Sequence, residues 1–198
     1  MIKHLSLVHL SALVAGLAAL CALGTPTTVS ADDVQTSTAS VTFTMPKDSA
    51  VAASDMPTID FSSAKVSSAA QDVTADSVDA PVAVTNPGFA NAWRVSVAAS
   101  DFTNADNTQQ IHSALLTFDA TAAQSCNADS VATAPTVTDT TITTGGDQAA
   151  LVKADRNGSA GTFKTEFASS AVHLHIPAGN TAGDYTAKLK WTLTDAIE

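Results

Sequence analysis

The sequence predicts an all-β protein, specifically an antiparallel β-sandwich, on three observations. Apolar residues recur with a period of two along several segments, which places them on one face of an extended strand. The segments are rich in Val, Thr and Phe, residues that suit a pleated half-buried surface. Between them stand Asn86-Pro87-Gly88, Gly145-Gly146, Asn157-Gly158 and Asn180-Thr181-Ala182-Gly183, all turn chemistry. Many short strands with Gly, Pro and Asn punctuation form two packed sheets.

The elements follow in chain order. Val41-Thr42-Phe43 predicts a strand over residues 40–45, and Ile59-Asp60-Phe61 a short one over 58–61. Residues 62–80 are thin in apolar side chains and read as a loop or weakly ordered stretch. Trp93, Val95 and Val97 share one face of a strand, with Arg94 and Ser96 on the other. Residues 111–120 alternate less clearly, because Leu115 and Leu116 point to opposite faces, and read as covered on both sides. Phe163, Thr165 and Phe167 alternate with Lys164 and Glu166, and Val172, Leu174 and Ile176 with His173 and His175. The plainest alternation comes last: Tyr185, Ala187, Leu189, Trp191 and Leu193 against Thr186, Lys188, Lys190, Thr192 and Thr194. An Asn157-Gly158 turn joins residues 151–154 to 162–167 as a hairpin.

The first 31 residues stand apart from this pattern. Lys3 and His4 precede an apolar run over residues 5–23, and Val29-Ser30-Ala31 is a small-x-small cleavage signal ahead of Asp32-Asp33. Residues 1–31 are therefore expected to be a removed signal peptide, and residues 32–198 the mature single domain. Leu20 before Cys21 is not the small residue that a lipidated cysteine requires. Cleavage leaves Cys126 as the one thiol, so stability must come from a packed core and not from a disulfide.

The whole chain carries 9 Lys+Arg against 19 Asp+Glu, and loss of Lys3 makes the mature net charge −11. That balance excludes an unaided grip on nucleic acid, which needs a basic footprint. The charge is uneven. Residues 32–149 hold three basic and fourteen acidic side chains, whereas residues 150–198 hold five of each.

No catalytic constellation stands out, and the chain is expected not to be an enzyme. No G-x-S-x-G elbow occurs, and Cys126 in Gln124-Ser125-Cys126-Asn127 has no basic neighbour, so it reads as buried or unreactive. Two glutamates and few aromatics in the mature chain are poor material for glycoside hydrolysis. His173-Leu174-His175 has the one-face spacing of some zinc sites, with His112 as a third ligand, but reads better as a solvated pair. Asp155-x-Asn157-x-Ser159 with Glu166 echoes a calcium loop, yet Ala160 stands where that loop needs glycine, and the flanks read as strands. No metal or cofactor is assigned.

One set of segments resembles a known family. Residues 184–196, Asp-Tyr-Thr-Ala-Lys-Leu-Lys-Trp-Thr-Leu-Thr-Asp-Ala, closely resemble the C-terminal signature of the WxL domain of Gram-positive cell-surface proteins. Upstream, Ala160-Gly161-Thr162-Phe163, the Val172-to-Pro177 run and Ala182-Gly183 fit the same context. Residues 81–89 leading into Ala92-Trp93-Arg94-Val95 resemble the family's earlier tryptophan motif, with Val95 where leucine completes the name, and Pro57-Thr58-Ile59-Asp60-Phe61 resembles a further element. The resemblance implies non-covalent attachment to the cell wall, chiefly peptidoglycan, at the surface of a Gram-positive bacterium, and assembly with other surface proteins. It makes Trp191, Leu193, Trp93 and Val95 candidate binding residues. The alternative is a surface-complex subunit or adhesin whose main ligand is another protein, a wall-associated partner or host matrix.

Strand parity points elsewhere for the contact. Both tryptophans share a face with apolar neighbours, the inner face of a sandwich. His173, His175, Lys188 and Lys190 point outward and form one patch facing anionic polymer if their strands are neighbours.

Overall fold

A computed structural model describes residues 38–45 and 49–197; the expected signal peptide lies outside the described residues. The chain divides into two units, Met1–Thr42 and Phe43–Glu198. Of the first, residues 38–42 are described, without strand or helix. The second carries the strands, in chain order β1 (Ala52–Asp55), β2 (Ile59–Phe61), β3 (Gln71–Val78), β4 (Val82–Asn86), β5 (Ala92–Ala99), β6 (Phe102–Asn104), β7 (Gln110–Ile111) and β8 (Leu115–Phe118). There follow β9 (Ala123–Ser125), β10 (Thr136–Val137), β11 (Thr140–Thr143), β12 (Ala149–Ala154), β13 (Gly161–Thr165), β14 (Val172–Ile176), β15 (Tyr185–Thr186) and β16 (Leu189–Ile197). One 3-10 turn, Ser169–Ala171, precedes β14.

The fold is an antiparallel β-sandwich. A front sheet in the order β10-β12-β5-β16 faces a back sheet in the order β11-β8-β14-β3-β2. Their inner faces share one core, in which Trp93, Val95 and Val97 of β5 meet Leu116 and Phe118 of β8 and Val172 and Leu174 of β14. A side sheet, β1-β4-β13-β9, adds Val82 and Val84 to that core, and a small sheet, β15-β6-β7, adds Ile111 and packs Phe102 and Tyr185 against it. Aromatic rings lock the layers: Phe118 meets Phe167 edge-on at 5.4 Å and Trp191 edge-on at 6.0 Å.

The turn between the side and front sheets is built by one buried side chain. Asn86 Oδ1 accepts from the N–H groups of Gly88 (3.0 Å) and Phe89 (2.7 Å), and its Nδ2 donates to Phe89 O (3.0 Å). A buried amide so fully satisfied replaces the ladder bonds the chain gives up where it changes sheet. Gly161, at φ 106°, opens β13 where a Cβ would lie 2.9 Å from Asn127 Oδ1, the atom that accepts the Thr162 N–H.

Five expectations are corrected. Residues 40–45 form no strand; Phe43 is 90% exposed and has no sheet to join. The stretch 62–80 is not one loop, since β3 occupies Gln71–Val78 and pairs with β14. Its inward residues include Gln71, Val73 and Ala75, too small or polar to announce a buried face, so pairing and not hydrophobicity makes the strand. The last alternating run is two strands. β15 pairs with β6 and β16 with β5; between them the Lys188 N–H donates to Ser100 Oγ (2.9 Å) and the Ser100 N–H to Lys188 O (3.0 Å). Side-chain period is blind to such a change of partner. The expected hairpin does not pair: β12 lies in the front sheet and β13 in the side sheet. The loop between them crosses over, with Asn157 and Ser159 at φ 60° and 58° and the Asn157 N–H donating to Ala90 O. Finally, Leu115 is exposed while Leu116 is buried, so β8 is covered on one side only.

Candidate functional site

The structure brings the two tryptophan motifs together. β5 and β16 are antiparallel neighbours, with Leu193 opposite Val95, Trp191 opposite Val97 and Asp195 opposite Trp93. All four motif residues point into the sandwich. Trp93 and Val95 are 1% and 0% exposed, so no ligand reaches them in this fold. Trp191 and Leu193 are half-buried and pack against the same core. The difference arises from strand order. β5 has a neighbour on each side, whereas β16 is the edge of its sheet.

Trp191 also lines a cleft of about 730 Å³. The cleft opens where the sandwich is unclosed, between the edge strand β16 of the front sheet and the edge strand β2 of the back sheet. Its apolar walls are Leu189 and Trp191 on one side, Ile59 and Phe61 on the other, with Phe102 and Tyr185 also lining it. The Tyr185 hydroxyl is tied to Gln109 Oε1 (2.9 Å) and to Thr181 (2.9 Å), fixing the ring where it lines the cleft.

The outward residues do not form the single patch expected of them. β14 is flanked by β3 and β8, and β16 by β5 alone, so the histidines and lysines stand on outer faces of different sheets. Each histidine has an aspartate instead: His173 Nε2 lies 3.2 Å from Asp119, His175 Nδ1 2.7 Å from Asp72, and His112 Nδ1 2.8 Å from Asp101. The spacing of His112 from the other two is thus explained by separate pairs. Among the described residues no group of three or more His, Cys, Asp or Glu is gathered as a metal would need. Cys126 is free and exposed, so of the two expected alternatives, buried or unreactive, the first does not hold.

Lys190 finds other company. The outer face of the front sheet carries Lys190, Thr192 and Thr194 on β16, Arg94, Ser96 and Ala98 on β5, and Ala150 and Lys153 on β12. Lys153 stands opposite Arg94, which stands opposite Thr194; Lys190 stands opposite Ala98. No carboxylate occupies these positions. Lys190 and Lys153 are exposed and Arg94 is half-buried. Three cations on one threonine-bearing face of a chain this acidic form a local field that favours an anion. Sequence reasoning had Arg94 pointing outward but could not join it to Lys190, because parity assigns a face and only register assigns a neighbour. Lys153 was missed altogether; the bulge between Ala150 and Val152 shifts the alternation that would have marked it.

A family model described as a WxL domain, surface cell wall-binding, matches residues 49–196. The matched span begins ahead of β1 and runs into the end of β16, taking in the whole sandwich. No curated protein matches the chain, and no solved structure matches it.

Proposed function

The chain belongs to the WxL family of surface cell wall-binding domains, and from that premise we propose that it is secreted and attaches non-covalently to peptidoglycan on a Gram-positive cell surface, without catalysis. The observation that carries the reading beyond the family description is the cationic outer face of the front sheet, Lys190, Arg94 and Lys153, with Lys188 just outside β16. Wall polymers present carboxylates, and exposed ammonium groups meet them as salt-sensitive contacts. A flat strand face with threonine hydroxyls between the cations adds hydrogen-bonding groups of the kind a sugar chain satisfies. On this reading Trp191, Leu193, Trp93 and Val95 serve binding by holding β16 against β5, so that the outer residues of both strands keep their spacing. His173 and His175, on the other face, are spectators.

The test is retention of the purified chain on washed cell walls over a salt series. Each exposed contact is worth roughly 0.2–1 kcal/mol, so the Lys190→Gln/Lys153→Gln variant is expected to bind between about 2- and 30-fold more weakly, with a shallower salt dependence. Lys164→Gln, on the side sheet, serves as the control. Unchanged binding by the double variant overturns this assignment, and release of soluble fragments overturns the non-catalytic reading. A second reading, in which another surface protein is the main ligand, draws support from the free edge of β16. It predicts retention only when that protein is supplied.

A further inference from the structure

We propose that the free edge of β16 takes up residues 40–45 of a second copy of this chain as an added antiparallel strand. The acceptor is defined by what the sandwich lacks. β16 pairs with β5 on one side and with no described strand on the other, and the cleft of about 730 Å³ lies along that free side. Leu189 and Trp191 face it from the front sheet, Ile59 and Phe61 from the back sheet. A strand laid on β16 would place alternate side chains in that gap. Among the described strands β16 is also the edge with the length for this: it has nine residues, whereas the edge strands β1, β2, β9, β10 and β11 have two to four.

The donor is defined by what it exposes. Ser40-Val41-Thr42-Phe43-Thr44-Met45 alternates polar and apolar residues and carries no charge. Yet Val41 is 76%, Phe43 90% and Met45 43% exposed. Such an alternation turned to water is a strand without a sheet. The segment stands ahead of the matched span, which begins at residue 49. With Phe43 in solvent the chain does not fill its own cleft, which leaves the edge to another copy.

Side-chain faces dictate the register. Antiparallel pairing with Phe43 opposite Trp191 sets Val41 opposite Leu193 and Met45 opposite Leu189. All three apolar residues then enter the core side, while Thr42 and Thr44 join Thr192 and Lys190 outside. A slip of one residue would turn every apolar side chain back to water. Charge sets the conditions. Copies with a mature net charge of −11 repel, but the donor is uncharged and residues 150–198 are balanced, so the contact itself adds no like-charge pair. Salt therefore strengthens this association, the opposite sign to the wall contact proposed above, and the two readings stand or fall separately.

The experiment uses the chain from Asp32 carrying Cys126→Ser, without cell wall. Molecules bearing Thr42→Cys are mixed with molecules bearing Thr192→Cys and treated with a short bismaleimide. A covalent heterodimer is expected, and none when Lys164→Cys replaces Thr192→Cys. Sedimentation of the unmodified chain should show mass rising with concentration and with salt, and Phe43→Asp should abolish the rise while leaving thermal unfolding in place. Monomer at every concentration, association undiminished by Phe43→Asp, or crosslinking confined within single chains of a variant carrying both Thr42→Cys and Thr192→Cys would each overturn the proposal. The last would mean that the segment folds onto its own β16.

Discussion

Two tryptophans separated by about a hundred positions do different work although they stand on adjacent strands and one inner face. Trp93 is sealed between neighbours on both sides, so Trp93→Ala should cost about 3–5 kcal/mol, as large-to-small changes in full cores do. Trp191 keeps part of its ring in the cleft, so Trp191→Ala should cost measurably less. Urea unfolding of the two variants checks the order; equal losses would mean that the cleft is closed in solution. Asn86 makes a sharper case. Its buried amide holds three backbone groups of one turn, and Asn86→Ala removes all three bonds. Each such bond is worth about 0.5–1.5 kcal/mol, so the loss of three together should make this turn one of the more sensitive sites in the chain. Asn86→Asp keeps the Oδ1 acceptor and should lose only part of that stability.

Among the elements, the corner between β15 and β16 depends on Ser100, whose hydroxyl accepts the Lys188 N–H and whose own N–H binds Lys188 O. Ser100→Ala removes the first bond and should cost about 1 kcal/mol, with amide exchange quickening at Lys188 before anywhere else. That corner also marks the limit of what alternation discloses. The faces of β5, β13, β14 and β16 were legible because Trp, Val, Phe, Leu and Ile alternate cleanly there. β3 was hidden, since Gln71 and Ala75 carry little hydrophobic signal, and residues 40–45 were read as a strand because their signal is good and their sheet is missing. The candidate site was half legible. Each cation's face could be assigned singly; the grouping of Lys190 with Arg94 and Lys153 depends on register, which no local pattern encodes.

At the scale of the whole molecule, stability comes from one core shared by two sheets, with no disulfide among the described residues. A reductant should therefore leave the melting temperature unchanged, and a drop would reveal a covalent link through Cys126. The acidity that first argued against anionic partners is concentrated before residue 150, leaving the last strands free to meet them. Those strands also impose an order of events. β5 lies at the centre of the front sheet but finds one of its two partners in β16, the last of the described strands, and β14 pairs with β3 across about a hundred positions, 103 between His175 and Asp72. Such distant pairings cannot form early. A chain drawn lengthwise through a narrow pore would hold Trp93 and Val95 unpartnered until residues 189–197 had followed, remaining pliable for the whole passage and acquiring its shape only on the far side.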